Sequence, residues 1–116
     1  MRPRIFIAAL AIACAPTPAF AHAFLQHADP GAGATLKAPP TRVALTFSEK
    51  LERVFSGIAV VDASGRNVEA GAFVISGNSM VAPLRQLLPG SYRVVWHAVS
   101  VDTHRTEGAY SFTVKP

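Results

Sequence analysis

Cysteine is nearly missing from this sequence: Cys14 is the single one, and it lies in an apolar run near the N-terminus. Beyond that run there is no disulfide to form, no zinc–thiolate site and no thiol nucleophile, so stability in an oxidising compartment has to come from packing. Methionine is almost as scarce. Met80 is the only one after Met1, and a lone thioether cannot build a methionine-rich site for a soft ion. One tryptophan and two tyrosines leave little material for a broad aromatic surface. The charged residues are scattered and form no basic stripe, which argues against nucleic acid as a partner. Helical periodicity is also lacking. Its nearest approach is "SEKLERVFSG" (48–57), with Leu51, Val54 and Phe55, and this reads better as a turn or strand-linking loop.

What is present begins with a leader. Arg2 and Arg4 precede the apolar run "IFIAALAIACA", and "PTPAFA" ends in the small-x-small triplet Ala19-Phe20-Ala21 that signal peptidase accepts. The run falls short of the roughly 20 apolar residues that a permanent membrane helix needs, and Pro16 and Pro18 break it as a core helix. Residues 1–21 are therefore expected to be a signal peptide and residues 22–116 one exported domain. Cleavage after Ala23 is a competing site, because Ala21-His22-Ala23 is also small-x-small. A lipoprotein cut at Cys14 lacks the expected leucine at Ala11. Without Arg2 and Arg4 the domain keeps nine basic residues against seven acidic ones, a net charge of +2 with histidine neutral.

The domain reads as strands joined by turns. "TRVALTF" (41–47) alternates Val43, Leu45 and Phe47 against polar or small residues, and "GSYRVVWHAVS" (90–100) alternates Tyr92, Val94, Trp96 and Ala98. "GIAVVD" (57–62) ends in the turn "DASG". "AGAFVIS" and "SMVAPL" flank the hairpin turn Gly77-Asn78, and "GAYSFTV" (108–114) alternates again. Tyr92, after "LLPG", suits a tyrosine corner. "DPGAGATLKAPP" (29–40) is a surface connection. About seven short strands predict an all-β, immunoglobulin-like antiparallel sandwich of Greek-key type.

Four histidines carry what chemistry there is: His22, His27, His97 and His104. A chain beginning at His22 offers its α-amine and its ring Nδ1 to one ion as a chelate, and the amine loses its proton to a metal near neutral pH. Asp102 and His104, two apart in "SVDTHRTEG" (100–108), leave the same face of an extended backbone. Together these atoms make an N3O set, which suits Cu(II), although zinc accepts the same donors. His27 falls on the opposite face of its strand from His22, and His97 alternates away from Trp96; both read as surface histidines. Glu107 is within reach of a ligand ring as an acceptor, with plain exposure as its default.

The ordered segments "HAFLQHADPGAGATL", "VALTFSEKLE", "FSGIAVVDASGRNV", "LPGSYRVVWHAVSVDTH" and "GAYSFTV" resemble the CopC family of periplasmic copper-binding proteins over nearly the whole domain. The resemblance implies a small sandwich that binds one Cu(II) through His22, Asp102 and His104, in copper resistance or uptake. It implies a monomer and a partnership with an inner-membrane copper transport protein. The family usually has D-G-H-P, whereas Thr103 and Arg105 flank His104 here, and His97 stands where arginine is common. Met80, alone, cannot supply the family's Cu(I) site.

Three functions compete at this level. The first is a periplasmic copper carrier without turnover. The second, a histidine-brace copper oxygenase, has to be reconciled with a small domain poor in aromatics. The third, a metal-free immunoglobulin-like interaction module, leaves the pairing of His22 with D-x-H unexplained.

Overall fold

A computed structural model describes residues 24–116. Residues 1–21, expected to be a signal peptide, and His22 lie outside the described residues. Among the described residues eight strands form two four-stranded sheets. They are β1 (Leu25–Asp29), β2 (Thr35–Leu36), β3 (Arg42–Phe47), β4 (Gly57–Asp62), β5 (Val74–Ser76), β6 (Ser79–Pro83), β7 (Gly90–Val99) and β8 (Arg105–Val114). The first sheet runs β1-β3-β6-β5 and the second β2-β8-β7-β4. The chain is thus an all-β sandwich, and every pair but one is antiparallel. The exception is β2, two residues inside the 29–40 connection, which lies parallel to the end of β8.

Alternation decides which side chains meet between the sheets. Val43, Leu45 and Phe47 from β3 are fully buried, as are Met80 and Ala82 from β6. They face Val94, Trp96, Ala98 and Phe112 from β7 and β8, each with its odd-numbered or even-numbered neighbours turned outward. The Phe47 and Trp96 rings meet edge to face at 5.1 Å and join the two sheets, a geometry that adds to their burial. Trp96 has room because Gly108 is its cross-strand partner. A Cβ at Gly108 would stand 2.6 Å from the indole. At the opposite end of the core Tyr92 stacks on Phe112 at 5.4 Å, and its hydroxyl donates to the Leu88 carbonyl at 2.5 Å. This is the tyrosine corner. Gly77, with φ of 61°, takes the first central position of the β5–β6 turn, where the hairpin needs positive φ.

Residues 48–56 form a loop, not a helix, and Gly57 opens β4. Leu51 turns into the core, while Val54 and Phe55 are 85% and 61% exposed. Helical spacing would have put all three on one buried face. What holds the loop instead is hydrogen bonding to both sheets, described below.

Tyr110 supplies a pH-dependent contact. Its hydroxyl donates to the Pro30 carbonyl at 2.7 Å, and burial, with a smaller contribution from the Asp29 charge, pushes the phenol up to about 12. An unfolded tyrosine ionises near 10. Between these values the unfolded chain has lost a proton that the folded one retains, so the stability contributed by this group is constant below pH 10 and falls as pH rises toward 12. Urea midpoints measured from pH 8 to 12 are expected to show the stability advantage of wild type over Tyr110→Phe shrinking across that window. An advantage independent of pH would contradict the assignment.

Candidate metal centre

The β7–β8 hairpin is ten residues long on each side and pairs from Gly90 with Val114 to Val99 with Arg105. Residues 100–104 close it at one end of the sandwich. Ser100, fully buried, is the pivot of this turn. Its N–H donates to the His104 carbonyl at 2.9 Å, and its own carbonyl accepts from the Thr103 N–H at 2.7 Å. The chain reverses through Thr103 at φ of 72°. That left-handed conformation is rare for a β-branched residue and costs about 1–3 kcal/mol. A glycine would adopt it freely.

The reversal brings Asp102 and His104 together. Asp102 Oδ1 lies 3.3 Å from His104 Nδ1, with the two side chains 49% and 52% exposed. Donors about 2.0 Å from one ion are about 2.8 Å apart at a right angle and about 3.3 Å apart at a tetrahedral angle. The pair therefore has the spacing of two neighbouring corners of a coordination shell, at a solvent-accessible position. The carboxyl group of Asp102 is held below the usual carboxylate range, first by the Ser100 hydroxyl that donates to Oδ1 and then by the His104 ring. It is ready as an anionic donor.

The loop between β3 and β4 braces this end. The Val101 N–H donates to the Lys50 carbonyl at 3.0 Å, and the Glu52 N–H donates to the Val99 carbonyl at 2.8 Å. Leu51 bridges Ser100, and the Val99 N–H donates to Ser56 Oγ at 3.0 Å. Two residues before Lys50, Ser48 holds the start of β1. Its N–H donates to the Phe24 carbonyl at 3.0 Å, and its hydroxyl accepts from the Phe24 N–H at 3.1 Å. A short segment thus links the first residue of the described chain to the Asp102–His104 turn.

The other candidate residues stand apart. His27 is exposed on β1 opposite Thr46. His97 is exposed on the outer face of β7, in register with Gly57 on one side and Glu107 on the other. A Cβ at Gly57 would lie 2.8 Å from the His97 ring, so that ring rests over the glycine. Glu107 is exposed on the same outer face, and Asp102 has, besides His104, a hydrogen-bond donor that was not singled out from the sequence, Ser100. Its signal was present as a serine two residues before the aspartate, but an isolated serine carries no periodicity. Among the described residues no three His, Cys, Asp or Glu side chains gather as a metal cluster. Asp102 and His104 are a pair that needs donors from elsewhere.

An immunoglobulin-like sandwich with a carboxylate–imidazole pair at the mouth of one hairpin is the class that fold and site define. Residues 25–115 match the family model described as the CopC domain, and the chain belongs to the CopC family. It is 37% identical over 116 residues to Protein YobA of Escherichia coli strain K12, an alignment covering 97% of this chain and 94% of the relative. The crystal structure of CopC from Methylosinus trichosporium OB3b is similar at a TM-score of 0.75 and 33% identity, covering 82% of this chain and 95% of that one. PcoC, a methionine-rich copper resistance protein from Escherichia coli, gives a TM-score of 0.70 and 39% identity over 82% of this chain and 100% of its own.

Proposed function

We propose that this protein is a periplasmic Cu(II) carrier without catalytic turnover, exported by cleavage after Ala21. In this reading one ion is held by the α-amine and ring of His22, the carboxylate of Asp102 and the imidazole of His104. The observation that carries the reading is the Asp102–His104 pair, set 3.3 Å apart beside the loop that anchors Phe24. His22 is two residues upstream of Phe24, and two residues of extended chain reach about 7 Å. The donor set of nitrogens and one carboxylate favours Cu(II), and membership of a family that includes copper resistance proteins supports copper over zinc. Met80 is wholly buried between the sheets, so its thioether is spent on packing and no exposed thioether is left for Cu(I). Delivery to or from an inner-membrane copper transport protein by a monomeric carrier completes the proposal.

Titration of the exported protein with each ion against competing chelators tests it. One equivalent of Cu(II) is expected to bind tightly and Cu(I) far more weakly. A second tight equivalent of Cu(II), or a preference for Cu(I), would overturn the Cu(II)-only reading.

A further inference from the structure

We infer that Ser100 is the positioning residue of the metal centre: its buried hydroxyl fixes both the Asp102 carboxylate and the backbone of His104 in the arrangement that receives the ion. The inference rests on Asp102 and His104 being ligands, as proposed above, and goes further by assigning the group that holds them before any metal arrives.

Ser100 has no exposed surface, and its hydroxyl lies between Asp102 Oδ1 and the His104 backbone, whose N–H and carbonyl are 3.3 and 3.5 Å away. The hydroxyl donates its one proton to Asp102 Oδ1. The same oxygen accepts from the His104 N–H at 3.3 Å. A hydroxyl is the smallest side-chain group that can donate and accept at once, and a serine rotor turns to suit both. The backbone of Ser100 adds bonds to the His104 carbonyl and from the Thr103 N–H, and its bridge to Leu51 ties it to the loop between the sheets. Ser100 is therefore fixed by the fold, whereas Asp102 and His104 are half-exposed and owe their orientation to it.

Two consequences follow for the ligands. Hydrogen bonding to Oδ1 stops the carboxylate from rotating freely in solvent and keeps that oxygen beside His104 Nδ1, at the spacing of two donors to one ion. Bonding to the His104 N–H sets where the imidazole stem leaves the backbone, although Thr103 ahead of it sits in a disfavoured conformation. Groups of this kind, which touch ligands but not the metal, typically change metal affinity 10- to 100-fold when removed.

The test compares wild type, Ser100→Ala and Ser100→Thr, the last of which keeps the hydroxyl, with thermal melts showing which variants are folded. Cu(II) affinity is expected to drop about tenfold or more in Ser100→Ala, with altered copper hyperfine splitting in electron paramagnetic resonance, and Ser100→Thr is expected to recover most of both. Adding Ser100→Ala to Asp102→Ala is expected to cost less than the single change does in wild type, because the shared contact has already gone. Without copper, the wild-type His104 amide is expected to exchange slowly with deuterium, a measurement that needs no variant. Wild-type binding that falls in Asp102→Ala but is unchanged in affinity and spectrum in Ser100→Ala would overturn the role of Ser100 and leave the ligand assignment intact. So would a rapidly exchanging His104 amide. Binding unaffected by Asp102→Ala and His104→Ala would instead remove the ligand assignment on which Ser100 depends.

Discussion

One extra residue ahead of His22 is expected to abolish tight Cu(II) binding and leave the fold intact. On the proposed ligand set the terminal amine and the His22 ring bind as one chelate. An added Gly or Met converts the amine into an amide nitrogen, which has no basic lone pair and binds only after losing a proton it holds strongly. The new terminal amine then lies a residue farther from the ring, and the chelate is broken. Losing a group that merely supports a metal ligand already lowers affinity 10- to 100-fold, so losing a ligand and its chelate is expected to cost at least about a hundredfold. The fold has no stake in the change, because the first residue with described contacts is Phe24, held by Ser48. The comparison is between the exported protein and a cytoplasmic form that retains an N-terminal methionine, by competition titration, electron paramagnetic resonance and thermal melting. Equal affinities and identical spectra would show that the amine is not a ligand.

The second large effect is expected at the hairpin turn. His104→Ala is expected to weaken Cu(II) binding by about a hundredfold or more and Asp102→Ala by roughly tenfold, since imidazole is the stronger donor to copper and the carboxylate contributes mainly charge. His27→Ala and His97→Ala are expected to leave affinity within about twofold, because both residues are exposed on strands outside the Asp102–His104 turn. The pH dependence separates the two ligand types. Metal binding displaces protons from nitrogen donors, so affinity falls with pH. Ser100 and His104 keep Asp102 ionised below the usual carboxylate range, so the carboxylate is the last donor lost on acidification. Binding abolished by His27→Ala but untouched by His104→Ala would reassign the second histidine.

How much of this was legible in the sequence depends on whether a feature is periodic. The alternation of Val43, Leu45 and Phe47 and of Tyr92, Val94, Trp96 and Ala98 predicts their burial, and each is buried. The tyrosine corner follows from Tyr92 and the Pro-Gly before it, and its hydrogen bond is present. Non-periodic features were harder to see. The two-residue β2 is paired only because the 29–40 connection passes beside the end of β8, a tertiary accident with no local signature. Gly108 is a requirement of the Trp96 indole across the hairpin, visible once the register is known. Ser100 matters through a left-handed turn at Thr103 that folds the chain back on itself, and nothing in S-V-D-T-H announces that reversal. His22, the residue on which the sequence reading turned, lies outside the described residues, and its role stands as proposed.

The segment from Ser48 to Glu52 has a wider consequence for a chain without disulfides. It fastens the start of β1, in one sheet, to the end of β7, in the other. An ion shared between His22 and the Asp102–His104 turn would close a ring of roughly 80 residues through those same two sheets, a loop size at which a disulfide contributes about 4.5 kcal/mol in the chain-entropy model. Copper would then be both cargo and clasp, a removable substitute for the covalent staple that cysteine provides elsewhere. On that reading the copper-loaded protein is expected to resist proteolysis better than the copper-free one.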